Sequence, residues 1–479
     1  MKKTSFLLCL ILSLPFFVFG CEADGQELNE YKIVATFDEE EKTLSCKQTS
    51  TYVNCTENAL STLEMFLYAN SFEKSWQNAS ASNFNRAYYN GESYGNISIT
   101  NVESKGEKCE FEVSEKHNIL KILPPHELFP NEKFSFDMEY VVTLANVNHR
   151  LGYGEKTINF GSVFPVFCVY EDGFVENEFA ANGDPFYSDV SNFFVKINYP
   201  ETYVLASSGV VVEDEGGVAV IEGQNIRDFC FVLSKDFDVI SDEVNGIKIN
   251  YFSYDDEGAE KHLETAKRAM KLFSEMFYEY PYKQISVVKT NFCFGGMEYP
   301  NLVMISDDLQ DNLTYNYVIV HELAHQWWYG LVGNNEYADA WIDESLTEYS
   351  SALFFEEYED YGLKYDTIID NAVKSYKQFV EVYTHVLKDV DQSMNRNLKQ
   401  FSTEPEYVNC IYTKGVILYD TLRNMIGEKN LYKAMKIYCK KFAYKNAAPT
   451  DFIECFSKST NRNLSGFFKA WLDGEVVIK

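Results

Sequence analysis

From about residue 31 to residue 240, apolar and polar positions alternate in short runs, such as Thr62 to Tyr68, Phe134 to Leu144 and Phe194 to Tyr199. Successive side chains of a strand point to opposite faces, so this alternation predicts half-buried β-strands. Turn signals separate the runs: Asn90-Gly91, Asn182-Gly183-Asp184-Pro185 and Gly216-Gly217. Helical periodicity is scarce here, so residues 31–240 read as an all-β, sandwich-like domain. Near residue 240 the period changes. Leu263, Ala266, Met270, Phe273 and Phe277 recur at steps of three and four, which predicts an amphipathic helix closed by Pro281. A short strand from Ile285 to Lys289, a glycine-containing edge and a strand near Leu302 to Ile305 follow. Helical patterns then occupy 314–332, 343–358, 363–390, 407–426, 428–443 and 449–457. Residues 241–479 therefore predict a small sheet with a helical body, an α+β arrangement.

The first twenty residues stand apart from both patterns. Lys2 and Lys3 precede an apolar stretch from Phe6 to Phe19, and Gly20 precedes Cys21. This reads as an export signal (1–20), and its ending resembles a bacterial lipoprotein signal that would place a lipid on Cys21 and anchor the chain to the outer face of the membrane; the alternative is ordinary secretion with cleavage nearby. An acidic run, 21–30, reads as a tether. Composition adds limits. A net charge of -30 argues against a nucleic-acid or anionic-lipid surface. Eleven cysteines are scattered without a CxxC pair, so none has the spacing of a zinc-thiolate site. Cys46 and Cys55 are near enough in sequence for a local bridge.

The chemistry concentrates in one stretch. His321-Glu322-Leu323-Ala324-His325 is HExxH within a helical pattern. Residues four apart share a helix face, so both imidazoles can reach one ion. Zinc suits two neutral nitrogens and a carboxylate, with a fourth position for water. Glu322 is then placed to take a proton from that water and pass it to a leaving amine. After eighteen further residues comes Glu344, opening the next helical pattern. Alone it reads as a helix N-terminal carboxylate favoured by the dipole. With HExxH upstream, the third-ligand reading is preferred. His126-Glu127 lacks a second histidine and reads as a loop.

The segment from His321 to Tyr349, HELAHQWWYGLVGNNEYADAWIDESLTEY, resembles the zinc site of the aminopeptidase N family. Gly295-Gly296-Met297-Glu298-Tyr299-Pro300 resembles that family's GxMEN motif, and Tyr412-Thr413-Lys414-Gly415 its Tyr-x-Lys-Gly segment. Gly183 to Gly209 resembles the sandwich domain that precedes the family's catalytic domain. The resemblance implies a thermolysin-like catalytic domain with one Zn2+ per chain, acting on peptides with a free N-terminus. It implies that Glu298, which on spacing alone reads as a turn glutamate, binds the substrate's α-amine. Gly295, Gly296 and Met297 would form the edge along which substrate backbone pairs. Tyr412, rather than Tyr407 or Tyr419, would donate to the oxyanion. Tyr299 stands where the family has Asn, and Asp343 and Ser345-Leu346 stand where it has Asn and Gly-Phe. These departures leave the ligands in place and bear on substrate preference. The family's catalytic domain ends near Trp471-Leu472-Asp473-Gly474, so a site more open on one side is expected.

Two other readings compete. A thermolysin-like endopeptidase shares the ligand set, although an amine-binding Glu298 would obstruct a continuing chain. A surface lipoprotein using the peptidase fold as a binding module would not need the complete set Glu298, His321, Glu322, His325, Glu344 and Tyr412.

Overall fold

The computed structural model describes residues 27–478 apart from 77 and 389. Residues 1–20, read as an export signal, and Cys21 lie outside the described residues. Asn29 and Glu30, read as tether, already belong to the first strand.

The alternating half folds as expected. Its main sheet has eight strands, running Val210–Glu215, Val218–Ile226, Ser191–Asn198, Asn29–Asp38, Thr43–Val53, Lys133–Thr143, Asn96–Ser104 and Glu107–Lys108. Asn29–Asp38 pairs parallel to Ser191–Asn198 and antiparallel to Thr43–Val53, with Ile33 opposite Val195 and Gln48. Tyr31, Ile33, Ala35 and Phe37 face inward, while Lys32, Val34, Thr36 and Asp38 face out. A one-residue slip would expose all four core side chains, so the burial pattern fixes the register. Two four-stranded sheets cover the inner face. The nine described cysteines are free thiols; Cys46 is buried and Cys55 exposed, so no local bridge joins them.

The second sheet runs Asp238–Val244, Ile247–Ser253, Gln284–Thr290, Leu302–Ser306 and Gly296–Met297. Helix α1, Ala259–Met276, crosses between the parallel strands Ile247–Ser253 and Gln284–Thr290. Its stripe of Leu263, Ala266, Met270 and Phe273 is buried. Each large side chain there contributes roughly 1.5–3 kcal/mol through burial. Gly296–Met297 is the edge strand, antiparallel to Leu302–Ser306, with Gly296 opposite Ile305. Its outer side is not paired within the sheet.

Three helical expectations need correction. The pattern read as 314–332 forms helix α2 only over Asn312–Ala324. Beyond it, Gly330, Leu331 and Val332 donate to the carbonyls of His325, Gln326 and Trp327, a spacing of five residues that widens the turn. Trp327, Trp328 and Leu331 are buried in that turn, so their apolar spacing mimicked a continuing helix. The pattern 407–426 splits into Glu404–Val408, a π-helical turn Asn409–Thr413 and Lys414–Ile426. A helix at Ser465–Leu472 was not anticipated. Helix α3, Glu344–Glu357, lies against α2, and Lys414–Ile426, here α4, packs on α3.

A polar seam joins the two bodies. Thr157 and Asn159 hydrogen-bond Thr290 and Asn291 across it. Buried Arg227 donates to the carbonyls of Ser188, Tyr329 and Lys445. Met297, Tyr299, Leu302 and Met304 pack into the core of the first body. The edge strand is thus gripped from both sides.

Candidate metal centre

Helix α2 is capped by Asp311, which accepts from the Thr314 N–H at 2.9 Å. Its last turn carries His321 and Glu322, and His325 is the C-cap residue. Glu344 is the first residue of α3. Two helix ends therefore meet, and both His Nε2 atoms face one carboxylate oxygen. His325 Nε2 lies 3.2 Å and His321 Nε2 3.4 Å from Glu344 Oε2. The other ring nitrogens are committed. His321 Nδ1 is 2.8 Å from Glu348 Oε2, and His325 Nδ1 is 2.9 Å from the Trp328 carbonyl. Both Nδ1 atoms donate there, so each Nε2, once it sheds its proton, can turn its lone pair to an ion shared with Glu344.

This donor set fits a divalent cation. Two nitrogens and an anionic oxygen converge with ligand atoms within 4.8 Å of one another. In the field of the carboxylates alone, burial opposes a charge on His321, but hydrogen bonds to Glu344 and Glu348 outweigh it and hold the imidazole up at about 10. Burial likewise opposes the Glu344 charge, and the two histidines still pull its carboxyl down to about 2. A site that demands two positive charges beside one carboxylate is electrostatically matched to one Zn2+. His321, His325 and Glu344 are the residues that would hold one zinc ion.

Glu322 sits against the edge strand. A side-chain carbon on Gly296 would collide with its carboxylate, which gives this glycine a steric reason. Burial raises the Glu322 carboxyl to about 7. Glu298 follows the same edge strand and is 3% exposed. Its Oε1 has no hydrogen-bond partner and lies 4.0 Å from His325 Nε2. Burial, with Asp184, Glu322 and Glu344 nearby, pushes its carboxyl well above the usual range despite the His325 charge. Gln326 fixes the strand behind it, donating to the Tyr299 carbonyl at 3.1 Å and accepting from the Asn301 N–H at 3.0 Å. The turn that closes the histidine helix thus also positions the edge strand.

Tyr412 stands on the π-helical turn, and its hydroxyl donates to Glu344 Oε1. Its ring stacks on His321 at 5.8 Å. Tyr407 also borders the cleft, edge-on to Tyr412, with its hydroxyl unpartnered. The neighbouring motif residues have structural reasons. Lys414 Nζ donates to the Gln392 and Trp471 carbonyls at 2.6 and 2.9 Å. Any side chain on Gly415 would strike Ser345, whose hydroxyl donates to the Ile411 carbonyl at 2.7 Å. Tyr299 turns away from the cleft; its ring covers Gly161 and its hydroxyl is 3.3 Å from Ser162.

The cleft encloses about 360 Å³. One wall holds the zinc ligands; the other comes from the first body through Asn83, Arg86, Arg150 and the 181–184 turn. Sequence reasoning missed this wall and also Glu348. The i, i+4 spacing from Glu344 to Glu348 on one helix face was the available signal for the latter. Asp184 and Arg150 had none: the Asn-Gly-Asp-Pro run read only as a turn, yet Asp184 pairs with the Arg150 guanidinium inside the cleft.

Comparison with known proteins agrees with this geometry. Residues 261–471 match the peptidase family M1 domain. Human endoplasmic reticulum aminopeptidase 2 is 23% identical over 72% of this chain and 37% of its own length. Aminopeptidase N of Lactobacillus delbrueckii subsp. lactis is 26% identical over 44% of this chain and 26% of its own. This chain thus spans well under half the length of either of these relatives. The M1 zinc metallopeptidase of Deinococcus radiodurans has the same fold, with a TM-score of 0.65 at 15% identity over 94% of each chain. Residues 261–471 are a peptidase family M1 domain, and the relatives that the chain resembles include aminopeptidases.

Proposed function

We propose that this protein is a zinc aminopeptidase that hydrolyses the N-terminal peptide bond of peptides. The observation that carries the reading is Glu298, a buried carboxylate with an unpartnered oxygen at the end of an open edge strand, beside the zinc ligands. An ammonium group bound there would satisfy the orphaned oxygen. It would also hold the first peptide bond, and no later one, over the metal. Bound zinc supplies a Lewis acid that lowers the pKa of a water and polarises the scissile carbonyl. Glu322 takes the proton from the attacking water and returns it to the leaving amine. The Tyr412 hydroxyl, already in the cleft, donates to the developing oxyanion. Substrate backbone pairs along Gly295, Gly296 and Met297, where glycine leaves room for it. Relatives named as aminopeptidases support the reading, as does a Deinococcus radiodurans M1 zinc metallopeptidase variant solved with a Tyr-Ser-Ala substrate.

The endopeptidase alternative needs a chain that continues past Glu298, where a buried carboxylate closes the path. A free-amine peptide and its acetylated twin separate the two readings. The zinc-loaded enzyme is expected to cleave the first and spare the second; equal rates would overturn the aminopeptidase assignment.

We also propose export with a lipid on Cys21, supported by Lys2, Lys3 and the apolar stretch from Phe6 to Phe19. Cells fed labelled palmitate should label the wild type and not Cys21→Ala. Label retained by the variant would sink that idea.

A further inference from the structure

We infer that Arg86 forms a carboxylate subsite at the far end of the cleft, so that the preferred substrates are tri- and tetrapeptides with a free C-terminus. The inference rests on the aminopeptidase reading and adds the class of peptide.

The lining of the cleft is strongly acidic, with Asp184, Glu298, Glu322, Glu344, Glu348 and Glu404. Apart from the histidine ligands, its basic side chains are Arg86 and Arg150. Arg150 is only 11% exposed and held mainly by the protein itself. Its Nε contacts Met297 Sδ at 3.1 Å, and its Nη2 donates to the Gly183 carbonyl at 3.2 Å and to Asp184. Phe186 and Phe294 cover its faces. Arg86 is different. Its Nε donates to Asp308 at 3.0 Å and its Nη1 leans on Asn83 Oδ1 at 3.4 Å. Its Nη2 bonds none of the described residues, and the side chain is 42% exposed. Glu404 nearby does not consume the guanidinium, because Ser80, Ser82 and Asn83 donate to its two oxygens. Arg86 is thus a fork held on one side and open on the other, which suits a planar carboxylate.

Its position along the edge strand sets the length. Ser306 donates to the Gly295 carbonyl at 3.0 Å, and two residues later Asp308 holds Arg86. Arg86 therefore lies beyond the Gly295 end, while Glu298 marks the other. A peptide with its amine on Glu298 must run along the edge toward Phe294 and Arg86. From Glu298 to Phe294 is four residues, of which Gly296–Met297 is strand and 293–295 bend, so the span is at most about 13 Å at roughly 3.3 Å each. That length spans three to four substrate residues. With Asp308 and Asn83 holding one edge of the guanidinium, the Nη2 edge of Arg86 is what this end of the cleft offers a terminal carboxylate.

The test uses the zinc-loaded enzyme and alanine peptides of two to six residues, each as free acid and as C-terminal amide. A single charge-assisted contact at a half-exposed site should favour tri- and tetra-alanine acids about tenfold in kcat/KM, expressed in KM. The ratio should shrink with added salt and vanish for hexa-alanine. Arg86→Gln should bring the acid-to-amide ratio to about one, and Arg86→Lys should recover part of it. Equal rates on acid and amide by the wild type would overturn the subsite, and that comparison needs no variant. So would an Arg86→Gln enzyme that loses both twins by one factor, which marks a structural role. Alanine p-nitroanilide distinguishes the deeper failure: if the loaded enzyme cannot cleave even this, the aminopeptidase reading falls and takes the subsite with it.

Discussion

The two walls of the cleft are built by different physics. On one side, α2 and α3 present His321, His325, Glu344 and Glu348 at separations set by the helix repeat. On the other, Asn83, Arg150 and Asp184 arrive on loops of the first body and Arg86 on the single helical turn Phe84–Ala87. Those loops are tied down by contacts distant in sequence. Buried His149 bridges them: its Nε2 donates to the Asn78 carbonyl at 2.9 Å, and its Nδ1 accepts from the Arg150 N–H at 2.8 Å. Burial pushes that imidazole down to about 3, so it stays neutral and keeps this tautomer. Glu404, from the second body, collects the Ser80 to Asn83 loop. The helical wall is locally determined, and the loop wall is determined only by the whole fold.

The strongest way to break the helical wall is Glu322→Gln. It removes the proton acceptor while sparing every zinc contact, so kcat should fall about 10³-fold. Metal analysis of the same sample should still find one zinc. A variant that kept wild-type turnover would show that the proton goes elsewhere. Next in size is Glu298→Gln, on the strand between the walls. It retains shape and loses the charge that meets the amine. We expect kcat/KM on free-amine peptides to fall about 100-fold, a cost typical of leaving a buried ion unpaired. Discrimination against acetylated peptides should narrow in the same assay.

The same division explains what could be read without coordinates. The period-two pattern around Tyr31 to Phe37 and the stripe from Leu263 to Phe273 both predict their elements, because burial enforces each period. HExxH and Glu344 were legible for the same reason: helical spacing converts sequence separation into position. The end of α2 was not, since Trp327, Trp328 and Leu331 keep an apolar pattern in a widened turn. The loop wall was illegible in principle. Asp184 faces Arg150 and Glu404 faces Ser80 through long-range closure that no local period encodes.

Glu348 sharpens the comparison at the level of metal affinity. It orients His321 through the 2.8 Å contact to Nδ1 and is itself held by the Tyr317 hydroxyl at 2.7 Å. Glu348→Gln should weaken zinc about 10- to 100-fold, read by competition with a chelator. Loss of metal on acidification should follow, because the ligands must shed protons to bind. A variant with wild-type zinc affinity would mean that Glu348 packs without orienting.

The smallest expected effect lies behind the loop wall, at Asp228. This buried carboxylate accepts from the Ser162 hydroxyl and from the Phe229 N–H at 2.7 Å. Burial outweighs those bonds and raises its pKa to about 7. The ordinary aspartate value is about 4, so between roughly pH 4 and 7 the folded chain holds a proton that the unfolded chain has released. This group's contribution is therefore most favourable below about pH 4 and is lost as pH rises through 7. Asp228→Asn cannot ionise, and its amide can still serve both neighbours. Relative to wild type, its Tm should rise by a few °C on going from pH 4.5 to pH 8, with little change in kcat/KM. A pH-independent difference in Tm would show that Asp228 ionises at its ordinary value, through water reaching the seam. The carboxylates of the helical wall are answered by a metal, and this one, with only neutral donors around it, is answered by a proton.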